Sequence, residues 1–97
     1  MLPMRDLATL TAADFAELRG EAFRITPEGA APLDAELAEV SVFAREAGGR
    51  APFSLVFQSA PEPSLPQRIY RVEHEQLGAI DIFLVPIGPG RYEAVFT

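Results

Sequence analysis

The sequence has no cysteine, no lysine, no asparagine and no tryptophan, and only one histidine. Without a thiol there can be no disulfide, no thiolate zinc site and no cysteine nucleophile. A lone histidine cannot supply the ligands of an ordinary transition-metal centre. Glycines cluster at Gly88-Pro89-Gly90, but no lysine and no helix start follows them, so they read as a turn and not as a phosphate loop. No catalytic residues, metal or cofactor are therefore expected. Positive charge is scarce as well: eight basic residues, all Arg, stand against 14 acidic ones for a net charge of −6. That balance opposes binding to phosphate backbones, so nucleic acid is not an expected partner. Apolar runs stay far below the roughly 18 residues of a membrane span. Residues 1–7 lack the apolar core of a secretory signal, since Asp6 follows Arg5 at once. These features predict a cytoplasmic protein with no membrane span.

What the chain does have is β-sheet composition. At 97 residues and 48% hydrophobic it makes one domain with a small core. Residues 67–74, 79–87 and 91–97 are rich in Ile, Val, Phe and Tyr and separated by Gly and Pro, as strands require. Upstream, 21–26 places Phe23 and Ile25 on one face, and 53–59 places Phe53, Leu55 and Phe57 on one face. In 33–43 the alternation Leu33, Ala35, Leu37 changes parity before Val40 and Val42, which predicts a β-bulge near Ala38 and Glu39. A helix over 34–45 is the competing reading, set aside because Val40-Ser41-Val42-Phe43 is β-rich. A short helix at 11–19 has Thr11 as N-cap, Asp14 as its capping-box partner, Leu10 and Phe15 as a staple, and Gly20 as its stop. Such a helix would plug one end of a barrel. Residues 46–50 read as a flexible loop, and 60–66 as a semi-rigid connection because Pro61, Pro63 and Pro66 lack the ladder donor.

The fold class is accordingly mainly β: an antiparallel meander of about six strands, as a small barrel or sandwich, with one short N-terminal helix. Apolar residues on both faces of 80–85 suggest a central strand covered on both sides. The last strand runs to Thr97 and is expected to offer an uncovered edge for association.

Five residues are candidates for a binding surface: Tyr70, Arg71, His74, Arg91 and Tyr92. The tyrosines and Arg71 could ring the mouth of a ligand-holding barrel, although tyrosines more often bury the ring and bond the hydroxyl at the core edge. The arginines could clamp an anion or pair with strand carboxylates. His74 lies between Glu73 and Glu75, but neighbouring strand residues point to opposite faces, which opposes a shared metal and favours a hydrogen-bonded structural role. Ser54, Ser59 and Ser64 lie in no nucleophile elbow.

The segments Leu10-Thr11-Ala12-Ala13-Asp14-Phe15, Pro52-Phe53-Ser54-Leu55-Val56-Phe57, Leu65-Pro66-Gln67, Leu77-Gly78, Phe83-Leu84-Val85-Pro86-Ile87-Gly88 and Tyr92-Glu93-Ala94-Val95-Phe96, with Tyr70 and His74, occur in an order and spacing that resembles the bacterial family known as domain of unknown function 6916. The resemblance spans about residues 10–96. It carries no catalytic residues to transfer, and it implies an accessory component associated with phage-tail-collar-like fibre proteins. The expected function is therefore a non-enzymatic structural or adaptor protein that meets a protein partner or itself. The alternative is a small-molecule-binding β-barrel.

Overall fold

The computed structural model describes residues 2–43 and 51–97; the loop expected at 46–50 lies outside the described residues. Six strands close into an antiparallel barrel: β1 (Ala22–Thr26), β2 (Leu33–Val42), β3 (Phe53–Gln58), β4 (Arg68–His74), β5 (Gly78–Gly88) and β6 (Arg91–Phe96). Of the two architectures compatible with the sequence, the barrel is the one that forms.

The order around the wall is β1-β2-β3-β6-β5-β4, with β4 returning to β1 through Arg24↔Glu73, Ile25↔Val72 and Thr26↔Arg71. A single meander would have placed β4 beside β3. The chain instead makes two three-stranded meanders, joined by residues 59–67, which cross from β3 to β4. Pro61, Pro63 and Pro66 explain the departure, because a segment with three missing donors cannot tighten into a hairpin between adjacent strands.

The alternation of each strand fills the interior. Phe23 and Ile25 on β1, Phe53, Leu55 and Phe57 on β3, and Ile80, Ile82 and Leu84 on β5 are all buried. The bulge on β2 falls where expected. Leu37 pairs with Phe57, the next pair is Glu39↔Val56, and Ala38 is skipped, which brings Val40 opposite the inward-facing Leu55.

The helix α1 (Ala12–Ala16) is shorter than 11–19, because tighter turns take over at its end, with Leu18 N–H donating to Phe15 O at 2.9 Å. Gly20 then turns the chain at φ +90, where a Cβ would be strained. At the other end, Asp14 Oδ2 accepts from Thr11 N–H at 2.8 Å. The plug is real: Phe15 is fully buried, its ring centroid 5.8 Å from Phe53 and 5.5 Å from Phe96, which themselves stack at 4.5 Å.

Two expectations need correction. β5 is covered on one face only: Ile82 and Leu84 are buried, but Phe83 between them is 49% exposed. Apolar parity on both faces cannot distinguish a sheet layer with neighbours on two sides from a barrel wall, whose outside meets solvent. Nor does β6 present a free edge. It pairs with β3 along its whole length, from Phe53↔Phe96 to Gln58↔Arg91, and with β5 at Val85↔Glu93, Pro86↔Tyr92 and Gly88↔Arg91.

Candidate functional site

The structure does not bring the five candidate residues together on one surface. Tyr70 and Tyr92 point into the barrel and are buried. The Tyr70 hydroxyl donates to Pro66 O at 2.5 Å, and the Tyr92 oxygen accepts from Leu65 N–H at 2.9 Å. Both rings thus fill the core while their hydroxyls tie down the crossover. Burial pushes the Tyr70 phenol above its ordinary value, an effect that Tyr92 reinforces and Arg68 opposes.

Arg71 lies on the outer wall of β4, where its Nε and Nη2 reach the two carboxylate oxygens of Asp81 on β5 at 2.5 and 3.2 Å. This two-point hydrogen bond holds the Asp81 carboxyl below the usual carboxylate range. Arg91 reaches across β3 to Glu39 on β2 at 2.6 Å, and also donates to Gln58 Oε1 at 3.1 Å. Since Glu39 pairs with Val56 and Arg91 with Gln58, the bridge passes over the outer face of β3. Val56 on that face is buried although it points away from the core. The arginines are used in cross-strand ion pairs, although with Asp81 and Glu39 and not with the glutamates nearest in sequence.

His74 lies at the end of β4, its ring 4.7 Å from that of Phe23. Its Nδ1 accepts from Gln76 N–H at 3.1 Å, so the ring proton sits on Nε2 and is donated to Glu21 Oε1 at 2.7 Å. Both nitrogens are engaged, as a structural histidine requires. Beside it opens a cleft of about 510 Å³ lined by Glu21, Arg24, Asp34, Glu73, Glu75 and His74, among others. Arg24, the one arginine among the described lining residues, pairs in register with both Asp34 and Glu73 and so lies between two carboxylate-bearing positions.

A different surface stands out on the outer wall of β4, β5 and β6. Ile69 is 64% exposed, Phe83 49% and Val95 57%. Ile69 pairs directly with Phe83. Val95 on β6 lines one groove together with Ile69 and Phe83. The three side chains form an apolar row across the strands, with Asp81, the partner of Arg71, beside it in the lining. This groove, of about 270 Å³, is lined also by Leu7, Ile82, Ala94 and Phe96. The sequence did carry a signal for it. Period-two alternation puts Ile69, Phe83 and Val95 on the face opposite the buried Tyr70, Ile82, Leu84, Ala94 and Phe96, so each faces out of a single-layered wall.

No helix among the described residues is long and apolar enough to cross a membrane. No curated protein and no solved structure matches the chain. A family model does match, over residues 10–96, which includes α1 and all six strands, and the protein therefore belongs to the family described as Domain of unknown function (DUF6916).

Proposed function

We propose that this protein is a non-enzymatic structural or adaptor domain of a bacterial assembly, docking to a protein partner through the outer face of β4, β5 and β6. The observation that carries this reading is the row of Ile69, Phe83 and Val95, three large apolar side chains about half exposed on adjacent strands. A cluster of this kind, rimmed by ionised side chains, is the usual signature of a protein-binding patch. Isolated surface hydrophobes need no such explanation; contiguous ones do. The candidate tyrosines do not support the alternative of a ligand-holding barrel, because their rings occupy the interior and their hydroxyls bond the crossover.

The tail-fibre setting implied by the family resemblance identifies the partner to try first: a tail-collar-like fibre protein from the same organism. Co-purification of the two proteins is expected, and Phe83→Ser together with Ile69→Ser should abolish it without lowering the melting temperature. Retention of the complex by that double variant would remove this face from the reading. Failure of the wild-type protein to bind would remove the partner.

A further inference from the structure

Among the described residues the β5–β6 ladder runs from Gly88↔Arg91 to Val85↔Glu93. At the far end of β5, the chain's own residues 3–5 lie alongside it as a short parallel strand, with Met4 bridging Ala79. Arg5 N–H donates to Ala79 O and Ala79 N–H donates to Pro3 O, each at 2.8 Å. Arg5 Nη1 adds a bond of 2.9 Å to Leu77 O. The acceptor is shaped for a backbone. Gly78 sits at φ +99, and a Cβ there would lie 2.6 Å from Pro3 O, so only glycine lets the added strand come this close.

This strap is held by its peptide groups and by the one side-chain bond of Arg5 to Leu77 O. Pro3 and Met4 are exposed, Arg5 and Leu7 are half-buried, and full burial begins at Leu10. The segment matched by the family model also begins at residue 10, so the strap lies outside it. Strand addition of this kind tolerates many sequences, because main-chain bonds supply the affinity and nearby pockets supply the selectivity. The groove lined by Ile69, Phe83 and Val95 is such a pocket, and Leu7, which follows the strap, is part of its lining.

We propose that the β5 edge at Leu77, Gly78 and Ala79, together with this groove, is a strand-acceptor site for an extended apolar segment of a protein partner, and that residues 3–5 hold the site in cis until displaced. The inference rests on the docking reading above and specifies how the partner engages that face. The tethered strap competes at an effective concentration on the order of millimolar, so an incoming segment must either be abundant or set a better side chain into the groove.

The absence of cysteine makes a direct test possible. Met4→Cys with Ala79→Cys places two thiols on neighbouring strands about 4.8 Å apart, within the span of a disulfide. A synthetic peptide of residues 2–7 of this chain, at millimolar concentration, is the probe, and amide shifts of the full chain are the readout. In an Arg5→Ala protein, whose strap has lost its bond to Leu77, the peptide should produce saturable shifts over residues 77–83. The same shifts should vanish in the oxidised cysteine pair and return on reduction. No response in the Arg5→Ala protein, or equal response with the strap locked, would overturn the proposal. A fibre-protein complex that survives the lock would overturn it as well, while leaving the docking face in place.

Discussion

Two buried tyrosines look equivalent in sequence but do opposite work at their hydroxyls. Tyr92 accepts from a buried peptide N–H, that of Leu65, whereas Tyr70 donates to the carbonyl of Pro66, which lies at an exposed position. Removing the acceptor leaves Leu65 N–H without a partner in a dry place; removing the donor leaves a carbonyl that water can reach. Tyr92→Phe should therefore cost about 1–3 kcal/mol, and Tyr70→Phe about 0.5–1.5 kcal/mol, in urea denaturation. The reverse ranking would show that the crossover is held elsewhere. The raised Tyr70 phenol adds a pH signature. A group whose folded pKa lies above its unfolded one stabilises fully below the unfolded value, 10.0 for tyrosine, and loses that contribution as pH rises through the folded value. Alkaline unfolding should thus move to higher pH in Tyr70→Phe. Asp81 has the opposite sign. Its carboxyl is depressed by Arg71, so its contribution is present above the ordinary 3.8 and fades as pH falls below it. Asp81→Asn should lower stability slightly near neutrality and flatten the acid limb of a stability–pH curve by the same small amount, because the pair is half exposed and screened by solvent.

At the scale of the element, β5 concentrates the difference between what the sequence shows and what it hides. Leu84 is fully buried and its neighbour Phe83 is half exposed. Leu84→Ala should cost about 2–5 kcal/mol, whereas Phe83→Ser should stay within about 0.5 kcal/mol in stability and act on binding instead. Thermal melts of the two variants check this directly; equal losses would mean that the outer wall is covered. Strand positions, the β2 bulge and the N-cap were legible because each rests on local chemistry: alternation of two, a parity change at Ala38 and Glu39, a Thr three residues before an Asp. The inner or outer fate of a second apolar face was not, since it depends on how many layers the fold has. The same holds for the ion pairs. Arg91 with Glu39 joins strands two apart around the wall, a relation created only by the crossover. Of the candidate residues, Tyr70 and Tyr92 bury their rings, an outcome that depends on which face of each strand turns inward when the wall closes.

For the whole molecule, closure has a kinetic consequence. The barrel is sealed by pairs distant in sequence, such as Phe53↔Phe96 and Arg24↔Glu73, so loop-closure entropy must be overcome before these contacts form. Refolding after stopped-flow dilution is expected on a scale of roughly milliseconds to seconds, and a relaxation in microseconds would contradict a transition state that already includes those seams. Antiparallel strands joined by short turns could be read from the sequence; which strands lie across the seam could not, because the crossover leaves the pairing partners of β3 and β4 open.

The two meanders are each continuous in sequence, β1 to β3 and β4 to β6, and their strands pair along β3 with β6 and β1 with β4. The crossover between them is the one link of backbone, and residues 61–64 within it are exposed. A cut there would leave two halves, each with its own hairpins and each with two unsatisfied borders that match the other's. Co-expressed, such fragments should find one another and rebuild the wall, which makes the domain a natural split reporter.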